Sequence, residues 1–216
     1  MTTVRNDKFG DAVSAQHSMS PAADRTDNSV EDRILDAARS CLLDFGLRRT
    51  TLAEIARRAG VSRPTVYRRW PDTDSVLADL LTREIRAAIP DTRGVGPIRP
   101  LLVSAVTAAA YDIGTHPIFE KVLRTDPEIF ITYIVDRLGT SQRVILDVLV
   151  TAIEQGQHDG SVRTGDPRAL AAFVLLTAQS TVQSVRMISE VVDHRTLLDE
   201  LGHAVDSYLA PTERRP

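Results

Sequence analysis

Between Thr51 and Trp70 the chain carries two helix starts and one glycine stop, which confines this stretch to two short helices meeting at a tight turn. Thr51 and Glu54 have capping-box spacing, the hydroxyl accepting from the third free amide while the carboxylate reaches back to the cap. Leu52, Ile55, Ala56 and Ala59 then recur at helical spacing and leave Arg57 and Arg58 outside. Gly60 ends the helix, because a left-handed terminal conformation suits a residue without Cβ. Ser62 is the next cap, and Pro64 is tolerated in a first turn whose amides lack intrahelical partners. The second helix runs to about Trp70. Val66 and Trp70, four apart, pack inward and turn Arg63, Thr65, Tyr67, Arg68 and Arg69 outward.

Charge sharpens the reading. Residues 48 to 69 hold seven arginines (48, 49, 57, 58, 63, 68 and 69) against one acid, Glu54, a local net of +6 in a chain whose formal net charge is −3. A basic patch on an acidic protein aims a positive field at a polyanion, and phosphates supply most nucleic-acid affinity through counterion release. Two short helices around a glycine turn form a helix-turn-helix, whose second helix enters the major groove. The alternative is a solvated arginine-rich face on a helical bundle.

Residues 31 to 81 resemble the DNA-binding domain of the TetR family of bacterial transcriptional regulators. The resemblance rests on Phe45-Gly46 closing a first helix, then Arg49-Thr50-Thr51, Ile55-Ala56, Ala59-Gly60-Val61-Ser62 and Thr65-Val66-Tyr67-Arg68-Arg69-Trp70. It implies an all-helical homodimer, by default a repressor, that leaves a palindromic operator when a small molecule fills a pocket in its C-terminal domain. DNA contacts are expected from Arg49, Ser62 and Pro64, with Arg63, Thr65 and Arg68 near base edges and Thr50, Thr51, Tyr67 and Arg69 at phosphates or in positioning contacts. The sequence departs from the family at Thr73, which stands where members often carry a lysine that contacts phosphate.

The expected fold is all-α, with a three-helix DNA-binding domain followed by a helical ligand-binding and dimerisation domain, about nine helices in all. Residues 1–29 are polar and without sustained period, and read as a disordered tail. The DNA-binding domain spans 30–76 and the helical domain 77–211. Ile34, Leu35, Ala38, Cys41, Leu42 and Phe45 form the core face of the first helix, so the single cysteine belongs to the core. After the recognition helix, Asp72 or Thr73 caps a fourth helix that breaks at Pro90. Residues 90 to 100 hold three prolines and two glycines and read as a loop. A nearly all-apolar helix from Ile98 to about Gly114 should be mostly buried. Asp126-Pro127 and Asp166-Pro167 each pair an aspartate cap with a first-turn proline, and start helices to Gly156 and to about Glu190. A last helix runs from Asp193 to Leu209.

The last two helices carry more apolar face than one small core needs. Phe173, Ser180, Ser184, Met187, Leu198, Leu201, Val205 and Tyr208 are assigned to a dimer interface, although the same faces also serve the protomer's own core. Tyr111, Phe119, Phe130, Tyr133 and Phe173 are the candidate lining of an effector pocket, with Arg137 and Arg186 as possible anchors for an anionic head. A lipophilic effector, fatty or acyl-like, is favoured. Activation, or regulation without an effector, is the alternative within the class.

No Gly-rich phosphate loop, Gly-x-Ser-x-Gly elbow or His-Glu-x-x-His signature occurs. His116 with Glu120, and Asp199 with His203, supply only two ligands each, so neither makes a metal site. A helical enzyme and a protein-interaction module are therefore the remote readings. No cofactor or metal is expected. With no long apolar run and a polar N-terminus, the expectation is a cytoplasmic protein, on the nucleoid when DNA-bound.

Overall fold

The computed structural model describes residues 21–90, 96–125 and 139–211, without the side chains of residues 21–29 and 123. Among these, nine helices occur and no strand: α1 (Pro21–Phe45), α2 (Leu52–Ala59), α3 (Arg63–Arg69), α4 (Thr73–Ala88), α5 (Ile98–Thr115), α6 (Pro117–Thr125), α7 (Thr140–His158), α8 (Pro167–Ile188) and α9 (His194–Leu209).

The first helix corrects one boundary. It begins at Pro21, so residues 21–29, assigned above to the tail, are helical. Their sequence, Pro21 to Ser29, carries no apolar stripe from which a helix could be read. Gly46 stops α1 with φ +79°, and the expected core face is buried except for Phe45, whose exposed ring lies under the Arg58 guanidinium.

The caps act largely as the spacing predicts. Thr51, Ser62 and Asp72 each accept from a backbone amide three residues on, and Asp166 and Asp193 cap α8 and α9. One detail differs at α2: the Glu54 carboxylate does not return to the cap but is drawn to Arg57 and Arg58, so only half of the capping box forms. The Asp126-Pro127 start lies outside the described residues.

Two cores result. The first joins α1 to α4 around Leu42, Ile55, Val66, Trp70 and Leu80, and α6 reaches into it with Ile118 and Val122. The second joins α5, α7, α8 and α9 around Leu102, Ile153, Val174 and Leu201. Two elements touch both regions. α4 packs on α1 and on α7, and α6 packs on α1 and on α5.

Candidate nucleic-acid interface and effector cavity

The recognition element is fixed from below. Val66 and Trp70 are buried, and the Trp70 indole donates to Asp79 of α4 at 2.8 Å. Full burial of a side chain of this size contributes roughly 1.5–3 kcal/mol, enough to hold a seven-residue helix that would not persist in isolation. With that side anchored, Arg63, Pro64, Tyr67 and Arg68 are exposed, and Tyr67 is 52% accessible.

The arginines of the patch then divide by neighbourhood. Arg57 donates twice to Glu54, at 2.8 and 2.6 Å. Arg58 bonds Glu54, Ser40 and Asp44, which ties α2 to α1. Arg69 pairs with Glu31 and lies over the Trp70 ring. Arg49 spends its Nε on the Phe45 carbonyl but remains exposed. Among the described residues Arg63 and Arg68 make no side-chain hydrogen bond or ion pair, and they stand on the exposed side of α3. Among the described residues, then, Arg57, Arg58 and Arg69 meet the carboxylates Glu54, Asp44 and Glu31, whereas Arg63 and Arg68 leave their charge uncompensated on α3. Arg57 and Arg58, both bonded to Glu54, hold its carboxyl well below its ordinary 4.5, at about 2.

Several expected contacts have other work. Thr50 is buried and its hydroxyl donates to the Gly46 carbonyl at 2.8 Å, so the side chain closes the turn after α1 and is not presented to DNA. Thr51 and Ser62 are cap residues, and Thr65 is half-buried with its hydroxyl against that of Ser62. Thr73 opens α4 behind the Asp72 cap, which forms a full capping box with Ser75. Cys41 is fully buried, and burial pushes its thiol up, away from the reactive thiolate.

Between the two cores lies a cavity of about 800 Å³, within the range of small-molecule sites. α4 contributes Leu81, Thr82 and Ile85 and its C-cap Ile89, and α5 contributes Ala105, Ala109 and Ile113. This explains why α5 is apolar nearly all round: one side enters the second core and another faces the cavity. Among the described residues, Phe119 is the one expected lining residue that takes its place there. Tyr111 stacks on His194 at an exposed position, Phe173 pairs with Tyr208 on the outer side of α8, and Arg186 is exposed, so none of these three lines it. Their spacing marks an amphipathic helix but not which neighbour each face meets. Phe130, Tyr133 and Arg137 lie outside the described residues.

The polar wall was not anticipated. Gln142 accepts from the Gly139 amide at 2.6 Å and donates to Gln179 at 2.9 Å, while Thr82 meets Ser141 across α4 and α7 at 3.2 Å. Glutamine on an amphipathic helix gives no signal of its own, so only packing reveals this role.

The exposed side of α8 presents Phe173, Leu176, Ser180, Ser184 and Met187 along one stripe, with Leu176 at 61% and Met187 at 80% accessibility. Leu198, Leu201 and Val205 of α9, expected at the same interface, are buried in the second core of the protomer, because α9 turns its apolar side onto α5 and α8.

Comparison with known proteins agrees with this geometry. Residues 34–80 match the family model described as bacterial regulatory proteins, tetR family. An HTH-type transcriptional regulator of Mycobacterium tuberculosis is 46% identical over 191 residues, 88% of this chain and 99% of that protein. The fold is also that of full-length TylP, a TetR regulator from Streptomyces fradiae (TM-score 0.63, 16% identity, 88% of this chain and 89% of the other), and of the R. erythropolis TetR-family repressor QsdR (0.61, 17%, 87% and 99%). The chain belongs to the tetR family of bacterial regulatory proteins. It is accordingly a DNA-binding transcriptional regulator and not an enzyme. No helix among the described residues is long and apolar enough to cross a membrane.

Proposed function

We propose that the chain is a dimeric repressor that reads a palindromic operator through α3 and leaves it when a lipophilic effector fills the cavity between the two cores. The observation that carries the DNA half is the pair Arg63 and Arg68, exposed and without a partner among the described residues, on a helix locked from the other side by Val66 and Trp70. Arg63, Thr65 and Arg68 read base edges, and Arg49, Thr51, Pro64, Tyr67 and Arg69 position the backbone, with Ser62 fixing the helix start. The largely hydrocarbon wall of the cavity supports the lipophilic effector.

The mechanism is a choice between two states. The α8 stripe covers its counterpart on a second copy, and the dimer holds two recognition helices about one DNA turn apart, roughly 34–36 Å. α4 carries the signal because it has two sides. Val76, Leu77 and Leu80 sit in the first core, whereas Leu81, Ile85 and Ile89 face the cavity. α6 is placed the same way, with Ile118 and Val122 in the first core and Phe119 at the cavity, and His116, the residue preceding it, meets Glu84 of α4 at 3.3 Å. A ligand that fits only when these walls part shifts the population to the state whose spacing no longer matches the operator. The protein acts in the cytoplasm, on the nucleoid while DNA-bound.

The test is binding of the full chain to its own upstream DNA at two salt concentrations, beside Arg63→Ala and Arg68→Ala. Salt-sensitive, sequence-selective binding that both substitutions weaken supports the reading. Failure to bind any DNA, including sites selected from the genome, sinks it.

A further inference from the structure

Gln183 of α8 borders the cavity, and its side-chain Nε2 is buried with no hydrogen-bond partner among the described residues. The neighbouring polar groups are engaged: Gln142 donates to the Gln179 carbonyl oxygen and accepts from the Gly139 amide, and the Thr82 hydroxyl has Ser141 and the Ala78 carbonyl; Gln183 Nε2 is the lining side-chain donor among the described residues that is both buried and unpaired. A buried amide donor without an acceptor is costly, so a ligand that supplies one gains more than an ordinary exchange of hydrogen bonds with water.

The rest of the wall restricts that ligand further. Leu102, Val106, Ile113, Leu175 and Val182 present only hydrocarbon. The charged lining residues among those described are Asp74 and Arg143, and both are exposed to water. A carboxylate drawn inside would lose its hydration with no buried cation among them to replace it, and one left at the rim would gain only a screened pair with Arg143. An ammonium drawn inside would likewise lose its hydration with no buried carboxylate among the described lining residues to replace it.

From these observations we infer that the effector is an uncharged molecule with an apolar body and one carbonyl-type acceptor, a ketone, ester or amide, and that Gln183 is the residue that selects it. The inference rests on reading this cavity as the effector site. Full-length wild type and Gln183→Met are titrated with methyl nonyl ketone, with its isostere bearing C=CH2 in place of the carbonyl, and with undecanoate, each competing against a fluorescent apolar dye. Wild type should bind the ketone about tenfold more tightly than the isostere, the effect of one hydrogen bond, and more tightly than undecanoate; Gln183→Met should bring the ketone-to-isostere ratio close to one. The melting temperature of Gln183→Met should not fall below that of wild type, since the replacement removes an unsatisfied donor. A ketone preference that survives in Gln183→Met, equal binding of ketone and isostere by wild type, preference for undecanoate, absence of binding by every probe, or a melting temperature lowered by the substitution would each overturn the inference. Operator binding is measured on the same preparations. Wild type that binds DNA but fails these criteria loses only the ligand assignment, whereas wild type that binds no DNA removes the proposed function as well.

Discussion

Arg63 and Arg58 are the same residue type five positions apart, yet one faces solvent unpaired among the described residues and the other is held by Glu54, Ser40 and Asp44. Their substitutions should therefore separate. Arg63→Ala or Arg68→Ala should cost about 1–3 kcal/mol of binding and relax preference at one operator position, as read by competition with single-base operator variants, with the melting temperature unchanged. Arg58→Ala should lower the melting temperature, because it unties α2 from α1, while leaving the salt dependence of DNA binding nearly intact. Glu54 adds a pH signature. Folding holds its carboxyl at about 2 instead of 4.5, so its stabilising effect is complete above about 4.5 and is lost as pH falls toward 2. Glu54→Gln should accordingly melt below wild type at neutral pH, with the gap closing across that window in thermal scans. None of this division is visible in the sequence, where seven arginines look alike and the partners Glu31, Asp44 and Ser40 are distant.

Among the elements, α2, α3, α4, α8 and α9 were legible because each start is written locally, by Thr51, Ser62, Asp72, Asp166 and Asp193, and the α2 stop by Gly60. Gly60 sits at φ +66° with open space where a Cβ would stand. Gly60→Ala should thus cost about 1 kcal/mol through the backbone alone, measured by urea denaturation, with DNA affinity little changed. The start of α5 is different in kind. Its first amides are capped by Asp159 and Ser161 from beyond α7, at 2.8 and 3.1 Å, and no local signal announces that. α6 escaped sequence reading because Ile118, Phe119 and Val122 are too few to establish a period, and their value lies in bridging the first core and the cavity.

At the level of the whole molecule, the α8 stripe makes the dimer testable. Leu176→Glu at its centre should convert the protein to a monomer by analytical ultracentrifugation and abolish tight binding to a two-half-site operator, with residual affinity for a single half-site; a dimer that persists would move the interface elsewhere. The sequence by itself determined the helical class, the DNA-reading helix and the apolar character of α5, α8 and α9, since caps, glycine stops and hydrophobic period act within a few residues of the chain. Tertiary structure alone decided which face meets which neighbour. It committed Thr50 to a turn, turned Leu198, Leu201 and Val205 into the protomer, kept Tyr111 and Phe173 out of the cavity, and gathered Thr82, Ser141, Gln142, Gln179 and Gln183 around it. The physical reason is that an amphipathic period fixes a direction around one helix axis, whereas a cavity is defined by several helices whose mutual rotation is settled only when all of their side chains pack together.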